Sequence, residues 1–102
     1  MHTANINLFT GMILDELDKA ETKHPKFCDV FSMKEPRVVR ELLRHIRKWN
    51  DEGPYQADCI LNEEILEATE AYMYNDNEHC LQELAQCGAV ILRMMEFVGT
   101  EA

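Results

Sequence analysis

Pairs of oxygen-bearing side chains at helical spacing constrain most strongly what this chain can fold into. Glu64 and Glu67 are three residues apart, and so are Glu83 and Gln86. Residues at this spacing lie on the same face of an α-helix. Only Asn75–Asn77, a turn-forming sequence, separates the two helical segments, and so short a connection makes the helices antiparallel neighbours. The sequence therefore predicts that three carboxylates and one amide oxygen meet at one point between two helices.

Oxygen donors gathered in this way are typical of a site for a hard divalent cation. Mg²⁺ prefers oxygen ligands and keeps several waters that a phosphate can displace. Mn²⁺ accepts the same ligands. The sequence therefore predicts a magnesium or manganese site formed by Glu64, Glu67, Glu83 and Gln86.

The position of the acidic side chains along the third predicted helix supports this interpretation. Glu64 and Glu67 fall at the edge of an apolar stripe, whereas Glu63 and Glu70 are predicted to point towards water. Acidic side chains are rarely buried unless they are paired or bound to metal. The alternative is a solvated helix surface closed by salt bridges, and position alone leaves both interpretations open. The predicted stripe consists of Ile60, Leu61, Ile65, Ala68, Ala71 and Tyr72.

Four segments carry apolar residues at helical spacing, and none shows the alternation of a β-strand. The predicted helices cover residues 6–23, 32–50 and 55–74, and then run from the Asn75–Asn77 turn to residue 98. Ser32 and Glu35 resemble a capping box for the second helix, Asn75 is the predicted cap of the fourth, and Gly99 is predicted to end it. The pattern predicts a single all-α domain, residues 1–102, folded as an antiparallel four-helix bundle. The apolar side of the first helix comprises Phe9, Met12, Ile13, Leu17 and Ala20.

The charge of the chain is concentrated in its second half. Residues 1–54 carry nine basic and nine acidic side chains, whereas residues 55–102 carry ten acidic side chains and only Arg93. Binding to DNA or RNA depends on neutralising phosphates, so a chain with a net charge of −9 is a poor non-specific nucleic-acid binder, and we expect no nucleic-acid partner. It is compatible with a cation site to which a phosphate substrate comes together with its metal.

The cellular compartment is inferred from features that the sequence lacks. No apolar run approaches the roughly 20 residues needed to span a membrane. The first residues do not have the basic and then apolar plan of a signal peptide. No two of the four cysteines form a C-x-x-C pair, and we interpret all four as reduced thiols. For these reasons we expect a cytoplasmic protein.

The second and fourth helices suggest contacts beyond the single chain. The second helix places Arg37, Arg40, Arg44, Arg47 and Lys48 opposite its apolar face. This row is either a solvated surface with partners such as Glu41, or a stripe that meets an acidic partner subunit or clamps phosphate. The fourth helix is apolar over more than one face, which favours a subunit interface.

The two acidic segments resemble the E-E-x-x-E…E-x-x-D signature of the MazG-like, all-α nucleoside triphosphate pyrophosphohydrolases. Here the signature reads Glu63-Glu64-x-x-Glu67, a gap of fifteen residues, and then Glu83-x-x-Gln86. Residues 13–27 also resemble the first helix and following loop of short phage and bacterial relatives. The departure is Gln86, where the signature has aspartate; the context is similar to that of a branch with glutamine at this position.

The resemblance implies a function and a set of residue roles. A member of this family is a helical homodimer or homotetramer that cleaves a nucleoside triphosphate to the monophosphate and pyrophosphate with a metal-activated water. On that pattern Glu64, Glu67, Glu83 and Gln86 would bind Mg²⁺ or Mn²⁺, and Glu63 and Glu64 would act in catalysis. Lys23 and Arg93 are predicted phosphate contacts.

Gln86 leaves a second function class open. An amide oxygen can touch Mg²⁺, but it removes one negative charge from the ligand set and cannot act as a base. The alternative to an enzyme is a non-catalytic helical module of the same fold that binds a nucleotide or a protein partner.

Overall fold

The computed structural model describes residues 3–23, 25–26, 31 and 35–101, with side chains described as far as Gly99. Within these residues the chain forms four α-helices and no strand: α1 (Thr3–Lys23), α2 (Pro36–Glu52), α3 (Ala57–Met73) and α4 (Asn77–Glu101). The prediction of an all-α chain is confirmed. In the described part of the chain, no helix has both the length and the apolarity that crossing a membrane requires.

The two ends of α2 follow from proline and glycine chemistry. Pro36 stands in the first turn, where its missing N–H group has no intrahelical partner to lose. The predicted capping residue Ser32 lies outside the described residues. The helix ends at Glu52, two residues beyond the predicted end, because Gly53 adopts φ +58° and its N–H donates to the carbonyl of Asn50. A left-handed φ favours glycine, so this residue ends the helix.

The turn between α3 and α4 differs from the prediction by one residue. Asn75 has φ +60°, and Asp76 N–H donates to the Ala71 carbonyl at 2.9 Å, as in a Schellman motif. Asp76 then caps α4, because its Oδ1 accepts from the His79 N–H at 3.1 Å. The prediction that Asn75 caps α4 is wrong. Asparagine tolerates the left-handed conformation that closes α3, which leaves the next residue to cap α4.

The chain divides into two compact units, and α4 contributes to both. The first unit comprises Met1–Asp29 and Leu92–Ala102; the second unit comprises Val30–Ile91.

In the first unit, Phe9 is the buried residue of α1 and packs closely against the end of α4. A Cβ atom built on Gly99 would lie 3.3 Å from the Phe9 ring. Gly99 is therefore a site of close approach, and the prediction that it ends α4 is wrong because the helix continues to Glu101. Most of the apolar side predicted for α1 is not buried. The exposed large apolar side chains of this helix are Ile6, Leu8, Met12, Ile13, Leu14 and Leu17.

In the second unit, α3 packs against α2 on one side and against the start of α4 on the other. One core cluster joins α2 to α3, with Val39, Leu43 and Leu66 buried at its centre. A second cluster joins α3 to α4, with Ala68, Ala71 and Cys80 buried and Leu84 packed against them.

The predicted apolar stripe of α3 is only partly correct. Ala68 and Ala71 are buried as expected, but Ile65 and Tyr72 are exposed while Leu66 and Thr69 are buried. The reason is that α3 contacts helices on two sides. Its buried surface is therefore wider than one stripe and is rotated away from the predicted centre.

Candidate functional site

Four acidic side chains from α3 and α4 lie close together in the second unit. Glu63 and Glu64 are adjacent residues of α3, Glu67 lies one turn further along that helix, and Glu83 comes from the first turns of α4. The negative charges of Glu63 and Glu83 each raise the pKa of both Glu64 and Glu67. We call these four residues the carboxylate cluster. The cluster thus contains the three acidic residues that the sequence spacing had singled out, Glu64, Glu67 and Glu83, together with Glu63.

Two carboxylate oxygens of the cluster are buried without a partner. Glu83 is only 6% exposed. Its Oε1 lies 3.1 Å from His79 Nε2, within hydrogen-bond distance, whereas its Oε2 has no hydrogen-bond partner among the described residues. The Oε2 atom of Glu64 is buried and unpartnered in the same way. Burying a polar oxygen without a partner costs free energy. The site therefore contains buried acceptor oxygens that no donor among the described residues satisfies.

The electrostatics of the cluster favour the uptake of positive charge. Burial, a hydrogen bond with Glu63 and the charge of Glu83 raise the pKa of Glu67 to about 7, although Arg47 acts in the opposite direction. Burial is also the main reason for the raised pKa of Glu64. Glu64 and Glu67 therefore bind protons more tightly than free glutamates do. A divalent cation at the same place would reverse this preference, because it stabilises ionised ligands.

Glu63 is held by a residue that sequence reasoning missed. Its Oε1 accepts a hydrogen bond of 2.8 Å from Asn50 Nδ2, which also donates to the Cys59 carbonyl at 3.3 Å. Asn50 is 4% exposed, and its Oδ1 is buried without a partner in the described part of the chain. The prediction that Glu63 points towards water is therefore wrong. The available signal was the register of Asn50, which continues the spacing of the buried residues Val39 and Leu43 along α2.

The basic face of α2 reaches the cluster through Arg47. Its Nη2 lies 3.8 Å from Glu67 Oε1. Further along α2, Arg40 Nη1 donates at 2.8 Å to the hydroxyl of Tyr74, the residue that directly follows α3. Together with the bond from Asn50 to Glu63, these contacts form a polar seam along the antiparallel pair α2 and α3.

A cleft of about 310 Å³ opens beside the cluster. Glu63 and Glu64 form part of its lining, and so does the exposed side chain of Tyr55. The cleft offers a bound molecule acidic, amide, apolar and aromatic contacts. Its other lining residues are Asn50, Asp51 and Ile60.

The remaining predicted site residues lie elsewhere. Gln86 is exposed on α4, one turn beyond Glu83. Lys23 and Arg93 are both exposed and belong to the first unit, so their proposed contacts with phosphate stay predictions. Cys87 is buried near the cluster: burial raises the pKa of its thiol, and the charges of Glu64 and Glu83 raise it further. The raised pKa keeps the Cys87 thiol protonated.

Neither the arrangement of possible metal ligands nor comparison with known proteins identifies the site. Among the described residues, no three histidine, cysteine, aspartate or glutamate side chains converge as the ligands of a metal ion do. No protein-family model, no curated protein and no solved structure matches this chain. The resemblance to the MazG-like pyrophosphohydrolases therefore depends on the sequence motif alone.

Proposed function

We propose that this chain is a nucleoside triphosphate pyrophosphohydrolase that depends on Mg²⁺ or Mn²⁺. Its substrate would be a ribo- or deoxyribonucleoside triphosphate, and its products the monophosphate and pyrophosphate. The observation that carries the proposal is the pair of buried, unpartnered oxygens, Glu64 Oε2 and Glu83 Oε2. Buried carboxylates of this kind are normally paired or bound to a metal.

The donor set fits an oxygen-preferring cation. Glu64, Glu67 and Glu83 are its proposed ligands, and the exposed Gln86 would add only a neutral amide oxygen. Because no three donors converge in the described residues, binding requires the glutamate side chains to rotate. Their flexibility makes this change local. Asn50 contacts Glu63, and His79 contacts Glu83. These two contacts limit the number of glutamate side chains that rotate.

The chain's own residues would divide the work of the reaction. When bound, a divalent cation neutralises phosphate charge and polarises water for attack. Glu63, oriented by Asn50, and Glu67, with its pKa of about 7, share a hydrogen bond. Glu63 is not among the proposed metal ligands, and it would accept a proton from the attacking water as general base. The adjacent cleft with Tyr55 would hold the nucleoside.

The test is pyrophosphate release from a panel of nucleoside triphosphates with Mg²⁺ or Mn²⁺. We expect metal-dependent release that Glu64→Gln and Glu67→Gln each reduce by more than a hundredfold. Glu78→Gln is the matched control, because it removes the same charge from an exposed position of α4. Absence of release with every nucleotide, or equal loss in the control variant, would reject the enzymatic proposal.

A second candidate function is a non-catalytic module that binds a protein partner. A groove of about 480 Å³ between α2 and α3 exposes apolar surface, including Trp49, Leu42 and Ile65. In the first unit, α1 separately exposes apolar residues, and each of the two surfaces taken by itself is also compatible with a homodimer or homotetramer. Under this alternative, light scattering would detect an assembly that survives chelation with EDTA, and metal titration would detect only weak surface binding.

A further inference from the structure

The second unit contains a cationic groove, although the chain as a whole has a net charge of −9. The groove has a volume of about 640 Å³. Four cationic side chains of α2 line it: Arg40, Arg44, Arg47 and Lys48. We call it the basic groove. Three carboxylates also line it, two at the end of α2 and Glu70 on α3.

The four cations are arranged along a line. From residue 40 to residue 48 a helix rises by about 12 Å. A row of this length matches a chain of several phosphoryl groups better than one compact anion. Arginine also presents paired N–H donors that match phosphate oxygens, so three of the four side chains are suited to this ligand.

The present partners of these cations leave their charge largely available. Arg40 donates to a neutral hydroxyl, that of Tyr74. Arg44 contacts Glu41 at 2.8 Å, but both side chains are more than half exposed, and ion pairs of this kind contribute little. Lys48 has no ion-pair partner among the described residues. An incoming anion would therefore displace only weak contacts from these four cations, and it would also meet the three carboxylates of the lining.

Arg47 connects the basic groove to the carboxylate cluster. It lines the groove and lies 3.8 Å from Glu67, a member of the cluster. The separation is long for an ion pair, and the Arg47 side chain is about half exposed. An anion held in the groove would therefore extend to the edge of the proposed cation site.

We infer that the basic groove is an oligophosphate-binding site that holds the phosphate tail of the nucleotide. The assignment to the substrate's tail rests on the proposed function; the binding of oligophosphate does not. The same side chains would also bind free inorganic oligophosphate. The experiment therefore has one arm for the inorganic ligand and one for the nucleotide.

The first arm measures binding of inorganic tripolyphosphate to the full chain by calorimetry, in EDTA. We expect binding that weakens as salt rises, and that Lys48→Glu or Arg44→Glu weakens at least tenfold. Arg37→Glu is the matched control: it changes net charge equally and lies on α2, but it does not line the groove. Absence of binding to the wild-type chain, or equal weakening by the control, would overturn the inference.

The second arm asks whether a nucleoside triphosphate displaces tripolyphosphate in EDTA, where no hydrolysis can occur. Displacement by the triphosphate, with much weaker displacement by the monophosphate, supports the assignment to the substrate tail. Tripolyphosphate binding that no nucleotide displaces would overturn that assignment. Because neither arm measures turnover, failure of the hydrolysis assay and failure of this inference give different results.

Discussion

Asn50 donates a hydrogen bond of 2.8 Å from its Nδ2 atom to Oε1 of Glu63, and so links the buried face of α2 to the carboxylate cluster. Asn50 lies one turn beyond the apolar core that joins α2 to α3. Its amide is nearly inaccessible to water, so it cannot exchange this partner for solvent without cost. The position of one carboxylate of the cluster is therefore set by the packing of the second unit.

The bond between Asn50 and Glu63 should appear as coupling between the two residues. We expect Asn50→Ala to lower the free energy of unfolding by about 1–3 kcal/mol, because it leaves Glu63 without its donor. In the double variant Asn50→Ala/Glu63→Ala, the two losses should fail to add by about 0.5–3 kcal/mol. Urea denaturation of the four proteins measures this difference. Strict additivity would show that the contact contributes nothing to stability.

The raised pKa of Glu67 predicts how stability depends on pH. The pKa is about 7 in the folded chain against 4.5 for a free glutamate, so between these values the folded state binds a proton that the unfolded state has lost. This contribution is therefore fully present below pH 4.5 and is lost as pH rises through 7. We expect Glu67→Gln to flatten this dependence and to stabilise the chain at pH 8 by about 1–3 kcal/mol.

Urea denaturation at pH 5 and pH 8, in EDTA, measures this effect. Glu78→Gln removes the same formal charge from an exposed position and should leave the pH dependence unchanged. If Glu67→Gln instead destabilises the chain at pH 8, its ion pair with Arg47 outweighs the burial of the carboxylate.

Binding of a divalent cation should stabilise the folded chain. A ligand that binds only the folded state at a hundred times its Kd raises the free energy of unfolding by about 2.7 kcal/mol. We expect Mn²⁺ to raise Tm in the wild-type chain and not in Glu83→Gln, which removes a carboxylate that is only 6% exposed. Binding should also release protons, because Glu64 and Glu67 have raised pKa values. Thermal melts with and without Mn²⁺ test the first effect, and an equal rise of Tm in the variant would argue against this site.

Two glycines of α4 should respond differently to the same substitution. A Cβ on Gly88 meets nothing within 4 Å, so Gly88→Ala should stabilise the helix by about 0.5–1 kcal/mol. A Cβ on Gly99 would lie 3.3 Å from the Phe9 ring, so Gly99→Ala should gain less or lose stability. Chemical denaturation of both variants compares them. Repeating Gly99→Ala in a Phe9→Leu background should recover the gain, and a failure to do so would point to a cause other than this contact.

The sequence was sufficient to predict the helices and the main acidic residues of the candidate site. Helix formation depends on local spacing, and α1 and α3 end within three residues of their predicted ends. A spacing of three residues places Glu64 near Glu67 whatever lies around the helix. The short turn then brings α4 beside α3, which is enough to place Glu83 near them.

Local pattern did not predict which faces these helices bury. A helix whose sequence shows one apolar stripe can still pack against neighbours on two sides, as α3 does against α2 and α4. For this reason Glu63, expected in water, meets Asn50. For the same reason Ile65 is exposed while Leu66 is buried.

The sequence by itself determined the all-α class, the approximate helix ends and the placing of acidic residues on α3 and α4, because these depend on spacing, turn residues and chain connectivity. Only the tertiary structure decided that Asn50 holds Glu63, that Arg47 approaches Glu67, and that Glu64 and Glu83 keep buried oxygens without partners. Those relationships depend on the register and rotation of one helix against another. Burial there raises the pKa of Glu64 and Glu67, and no local pattern encodes it.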